Sequence, residues 1–74
     1  MKQLFTTPTC GKCEVIKKHI VAKGITDVEI VDITTTEGVV ERAWTETVYI
    51  QTVPYLVMDG NIYTDYTEIL GKLA

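Results

Sequence analysis

Apolar and polar positions along this chain shift between two periods, and the shifts mark its elements. Lys2-Gln3-Leu4-Phe5-Thr6 is a short strand candidate, ended by the turn-forming Thr7-Pro8-Thr9. From Cys13, apolar residues recur at Ile16, Ile20 and Val21, a helical spacing, and Gly24 is a natural stop. Val28 to Ile33 is rich in β-branched residues and reads as a buried strand. Thr34 and Glu37 stand three apart, as in a capping box, and open a helix to about Glu46. Val39, Val40, Ala43 and Trp44 are the predicted inner face of that helix. Tyr55-Leu56-Val57-Met58, after Val53-Pro54, is a third strand. Asp59-Gly60-Asn61 predicts a tight hairpin, because Gly and Asn tolerate the positive φ it needs. Ile62-Tyr63 begins a fourth strand, and Asp65 with Glu68 caps a last helix ending near Leu73. The order is β-α-β-α-β-β-α. Its first βαβ unit should be parallel and right-handed. The hairpin makes the last two strands antiparallel, so the sheet is mixed, with helices covering it.

At 74 residues the chain has room for one small domain. The stability expected at this size is only about 4–11 kcal/mol. A multidomain enzyme with a deep, enclosed cavity is ruled out, and any chemistry must sit at the surface on a few residues. Apolar content of 46% with little Gly or Pro argues against disorder. No apolar run approaches the roughly 18–20 residues of a membrane span, so no integral membrane protein is expected. The opening segment lacks the apolar core of a secretory signal, which predicts a cytoplasmic location. A net charge of -3 gives nucleic acid no overall attraction. The charge is uneven, however. Lys2, Lys12, Lys17, Lys18 and Lys23 face Glu14 alone in residues 1–23, while residues 24–74 carry nine acids against Arg42 and Lys72. The basic excess surrounds both cysteines.

Those cysteines form Cys10-Gly11-Lys12-Cys13, at the junction of the first strand and the first helix. A CxxC beside a βαβ pattern reads as a dithiol redox site. At the helix N-cap, Cys10 would face unpaired backbone N–H groups. These groups and the helix dipole favour negative charge, and Lys12 adds a nearby cation. Each stabilises the thiolate, the nucleophilic form, and lowers the Cys10 pKa. Cys13 lies one turn inside, on the same face. Closing so short a ring is worth only about 2 kcal/mol in chain entropy. Redox work explains the pair better than stability does.

The pair has other readings. A structural zinc site takes four ligands, and this chain has two cysteines and His19. His19 is six residues, or about 600° of helix, beyond Cys13 and so on another face. No metal and no other cofactor is expected, although a non-catalytic thiol or metal carrier is the competing function class. His19 reads as a half-exposed helix residue, and Trp44 and Met58 as core. The lysines of the first helix are ordinarily a solvated surface.

The motif in this element order resembles the thioredoxin fold, and within it the glutaredoxins and glutaredoxin-like redoxins. A second landmark, Thr52-Val53-Pro54 before the third strand, is similar to that family's Thr-Val-Pro. The resemblance covers nearly the whole chain. It implies an α/β, thioredoxin-like domain over residues 1–74, its four-stranded mixed sheet flanked by helices, and a monomer. It further implies a cis proline at Pro54, packed beside the dithiol, and a Val53 backbone that pairs with an extended substrate segment. By this resemblance Cys10 and Cys13 are catalytic, Gly11 and Lys12 tune them, and Thr52, Val53 and Pro54 bind substrate. The implied activity is reduction of protein disulfides, with a ribonucleotide reductase as one natural substrate. Electrons would come from a flavoprotein reductase or, less readily, from glutathione. Three positions depart from the pattern. Gly11 stands where glutaredoxins usually carry Pro, and apolar Leu4-Phe5 where thioredoxins carry a buried Asp. Tyr63-Thr64-Asp65-Tyr66-Thr67 lacks the Gly-Gly that receives a glutathione carboxylate. Asp65 stands at that helix terminus instead, and weak glutathione binding is expected.

Overall fold

In a computed structural model, which describes residues 2–50 and 52–73, the elements follow the expected order. They are β1 (Lys2–Thr6), α1 (Gly11–Lys23), β2 (Val28–Asp32), α2 (Thr36–Trp44), β3 (Tyr55–Met58), β4 (Asn61–Tyr63) and α3 (Tyr66–Lys72). The strands lie in the order β2-β1-β3-β4. β1 pairs parallel with β2, and β3 is antiparallel to both β1 and β4. This is an α/β thioredoxin-like arrangement with a mixed sheet.

Alternation along β1 splits the core in two. Leu4 and its cross-strand partner Leu56 face one side, where they pack with Ile16 and Ile20 of α1 and Ile69 and Leu73 near α3. Phe5 and Tyr55 face the other side, with Val31 and Ile50. Their rings stack at 4.6 Å between centroids. The Tyr55 hydroxyl is satisfied by the buried Thr47 hydroxyl at 2.8 Å. α1 buries Cys13, Ile16 and Ile20 and ends at Gly24, whose φ of 66° closes the helix without a Cβ penalty. Val21, expected on the inner stripe, points to solvent. It stands one residue, about 100° of helix, past Ile20. The hairpin loop is Asp59-Gly60, both at positive φ, so β4 begins one residue earlier than predicted, at Asn61.

The largest correction concerns α2. Its cap is Thr35, which accepts from the Gly38 amide at 3.0 Å, rather than Thr34. Thr34 instead donates its amide and hydroxyl to Asp32 Oδ1, at 2.9 and 2.6 Å. The hydroxyl first, and then the amide, hold the Asp32 carboxyl below its ordinary range. That contribution to stability is complete above the unfolded pKa of about 3.9 and is lost as pH falls through the lower folded value. Val39, Val40, Ala43 and Trp44, the predicted inner face, are all exposed. The buried residue of α2 is Gly38. A Cβ there would lie 2.7 Å from the Asp32 carbonyl carbon and 2.8 Å from Ile33 Cα. Only glycine lets the helix seat this closely, and so Gly38, Arg42 and Thr45, spaced i, i+4, i+7, face the protein. The Arg42 guanidinium donates to the carbonyls of Val48 and Ile50, at 3.1 and 2.6 Å, and holds the following loop. Trp44 is therefore not core, whereas Met58 does pack against the Leu4 cluster.

Candidate functional site

The dithiol is presented by the way β1 ends. Thr6 is buried, its hydroxyl donating to the Val31 carbonyl at 3.4 Å. The chain then turns over Thr7-Pro8-Thr9-Cys10, closed by the Cys10 amide donating to the Thr7 carbonyl at 3.4 Å. Pro8 occupies the second turn position, for which its fixed φ is pre-set. Cys10 emerges extended and caps α1, its Sγ accepting from the Cys13 amide at 3.1 Å. Cys10 and Cys13 are joined as a disulfide, with Cα atoms 5.2 Å apart. The two sulfurs differ in access. Cys13 is fully buried, while Cys10 is half-buried at the mouth of the helix.

Lys12 and Gly11 are both exposed on the first turn. The Lys12 ammonium sits over the Tyr66 ring of α3, 5.7 Å from its centroid. Sequence reasoning missed Tyr66, because only the docking of α3 beside α1 brings the two together. A Cβ at Gly11 would meet nothing within 4 Å, so no close approach demands glycine there. The reduced Cys10 sulfur, facing the helix amides, is expected to titrate below the free thiol value of about 8.5. Ultraviolet thiolate titration of Cys13→Ser checks this, and a value at or above about 8.5 would contradict it. Lys12→Glu should raise it by no more than about one unit, because the charge is solvent-screened.

Thr52-Val53-Pro54 leads into β3. The Val53–Pro54 bond is cis. Pro54 is buried, Val53 half-buried and Thr52 exposed. Because Tyr55 pairs with Phe5, Pro54 lies just beyond that pair, at the end of the sheet where β1 releases the chain toward Cys10. Both motif segments thus meet at one end of the sheet. His19 is remote in role, donating Nε2–H to the Leu73 carbonyl at 3.0 Å. Among the described residues no three or more His, Cys, Asp or Glu are grouped to hold a metal. At the start of α3, the Asp65 carboxylate accepts from the Glu68 amide at 3.0 Å, and the terminus carries a fixed anion.

Comparison with known proteins bears on the same features. The glutaredoxin family model matches residues 3–63 of this chain, which include both motif segments. The chain belongs to the glutaredoxin family. With its bridged cysteine pair at the head of α1, it is a glutaredoxin-like redox protein. The family match stops at Tyr63, before the Asp65 cap of α3. Among solved structures, the thioredoxin-like protein BC3987 is similar with a TM-score of 0.74 at 20% identity, covering 100% of both chains. A mutant of that protein gives 0.74 at 19% identity, over 97% of this chain and 91% of its own. At such identities the likeness is one of fold. No curated protein matches the chain in sequence. No helix among the described residues is long and apolar enough to cross a membrane.

Proposed function

We propose that this glutaredoxin-family chain is a dithiol thiol-disulfide oxidoreductase that reduces protein disulfides. The observation that carries the reading is the unequal access of the two sulfurs, Cys10 at the surface and Cys13 beneath it. In the reduced protein the Cys10 thiolate attacks one sulfur of a substrate disulfide. The substrate S–S bond breaks, one substrate sulfur leaves as a thiolate, and a Cys10–substrate mixed disulfide forms. The Cys13 thiolate then attacks Cys10 Sγ, releasing the second substrate thiolate and forming the Cys10–Cys13 bridge. Two electrons pass from the dithiol to the substrate. Burial keeps Cys13 from outside disulfides but leaves it in reach of Cys10, which suits a resolving thiol. Lys12 and the α1 terminus tune Cys10, while Thr52, Val53 and Pro54 form the groove for an extended substrate. A ribonucleotide reductase in the cytoplasm is a substrate consistent with this chemistry. Turnover in insulin disulfide reduction, with dithiothreitol as electron source, tests the proposal. Stoichiometric binding of thiol or metal without turnover would instead indicate a carrier.

The start of α3 favours a flavoprotein over glutathione as the reductant. A glutathione carboxylate placed at that terminus would meet the Asp65 carboxylate and forgo the usual dipole benefit of about 0.3–1 kcal/mol. Glutathione should therefore reduce the oxidised protein poorly, and a thioredoxin-reductase-type flavoenzyme should reduce it faster. Asp65→Gly should narrow the gap. Efficient glutathione turnover by the wild type, unchanged in Asp65→Gly, would show that the anion at this terminus does not select the reductant.

A further inference from the structure

We propose that copies of this chain associate head to tail, the outer face of α2 in one copy seating on the outer face of α1 in the next. The first face is the apolar stripe Val39, Val40, Ala43 and Trp44, which lines a shallow depression of about 400 Å³. Trp44, the last residue of α2, is 80% exposed at the end of the stripe. This helix is amphipathic with its apolar side turned to water, because Gly38 and not a valine meets the sheet. An exposed aliphatic and aromatic stripe of this kind ordinarily marks an interaction surface.

Charge selects the occupant. Exposed Glu37 flanks the stripe, three and seven residues before Val40 and Trp44. Glu41 turns toward the sheet and accepts from Gln3 at 2.8 Å. The one cation of α2, Arg42, is committed to the Val48 and Ile50 carbonyls. An acidic rim repels an anionic lipid surface, and it repels the same face of a second copy. It calls for an apolar surface with a basic rim. The chain carries one. On α1, Lys17, Lys18, Val21 and Ala22 line a depression of about 310 Å³, with Val21 79% exposed. α1 as a whole holds four lysines against Glu14. The two helices cover opposite sides of the sheet: α1 packs on the Leu4 side, and the loop held by α2 packs through Ile50 and Thr47 on the Phe5–Tyr55 side. The outer face of α1 thus carries a lysine excess, although Lys17 pairs with Glu14 at 3.4 Å. The flank of the α2 stripe carries Glu37, so stacking copies in one direction brings opposite charges together. Such a contact is heterologous, so each copy keeps one free face and the assembly does not close by symmetry. Each face is a single helix surface, below the size of standard stable interfaces, so the association is weak and salt-sensitive. Lys18 lies two turns along α1 from Cys10, and stacking leaves the dithiol open.

Sedimentation equilibrium under reducing conditions tests this. From micromolar to millimolar protein, the average mass should rise above the 8.3 kDa monomer and fall back in high salt. Emission from Trp44, the only tryptophan, should shift to the blue over the same range. Trp44→Glu and Val21→Glu change exposed side chains, so both should fold, as circular dichroism can check, and each alone should stay monomeric. An equimolar mixture should form a one-to-one heterodimer and nothing larger, since one intact face remains on each variant. A wild type that stays monomeric at millimolar concentration overturns the proposal. So does a mixture of the two variants that stays monomeric, or either variant associating as the wild type does.

Discussion

Cys10→Ser is expected to bring insulin disulfide reduction down to the rate of dithiothreitol alone. A serine hydroxyl at this position can accept the Cys13 amide as Cys10 Sγ does at 3.1 Å, so the cap on α1 survives. What is lost is the accessible nucleophile. Cys13 cannot replace it, because its side chain is fully buried. Cys13→Ser should turn over far more slowly than the wild type, for a different reason. Its Cys10 can still attack the substrate disulfide and form a mixed disulfide, but no internal thiol resolves it and release waits on dithiothreitol. Steady-state rates on both variants, with thermal melts to show that each is folded, check this pair. Substantial turnover by Cys10→Ser would mean that the roles are assigned to the wrong sulfurs.

The largest expected effect on stability lies far from the cysteines. Gly38→Ala places a methyl group against the Asp32 carbonyl carbon and Ile33 Cα, at 2.7 and 2.8 Å. These are backbone atoms of β2 and its exit, held in register by β1, and they cannot swing aside as a side chain would. Overpacking of this kind costs typically 1–3 kcal/mol, and contact with backbone that cannot swing aside places this site at the upper end, about 3 kcal/mol. Alanine's better helix propensity returns about 1 kcal/mol. A net loss of about 2 kcal/mol is a large share of the roughly 4–11 kcal/mol expected of a 74-residue chain. At about 4–8 °C per kcal/mol the melting temperature should drop by about 8–16 °C. Gly71→Ala is the control. It makes the same chemical change inside α3, where a Cβ meets nothing within 4 Å, and should raise the melting temperature slightly. Equal effects from the two would remove close helix–sheet approach as the reason α2 lies as it does.

Gly38 also explains where sequence reading succeeded and where it did not. Features set by neighbouring residues were legible. The position of β2, the Asp59-Gly60 loop, the Gly24 stop and the Asp65 cap each stand where local chemistry puts them. β2 is nonetheless an edge strand with Ile30 exposed and only Val31 buried, not the buried strand its β-branched run predicts. The cysteine pair and Thr52-Val53-Pro54 were legible as motifs, and the paired Phe5 and Tyr55 explain why they meet at one end of the sheet. Long-range contacts were not legible. Periodicity in α2 identified an apolar face correctly, but not the side on which it lies. That depends on a glycine meeting the backbone of another element. Thr34 and Thr35 are equal cap candidates by residue type, and only Asp32, by taking both Thr34 donors, leaves the cap to Thr35. Lys12 was placed near Cys10 in sequence, but its partner Tyr66 lies 54 residues away and is invisible without the fold.

The central claim is the order of events, with Cys10 attacking and Cys13 resolving, and one trapping measurement reads it directly. Each single Cys→Ser variant is mixed in its reduced form with a disulfide-bonded peptide, and the adducts are resolved by intact-mass and fragment mass spectrometry. Cys13→Ser should accumulate a single adduct on Cys10, released again by dithiothreitol, while Cys10→Ser should form little or none. An adduct on Cys13 forming as fast as that on Cys10, or no adduct on Cys10 in a folded Cys13→Ser protein, would contradict the account.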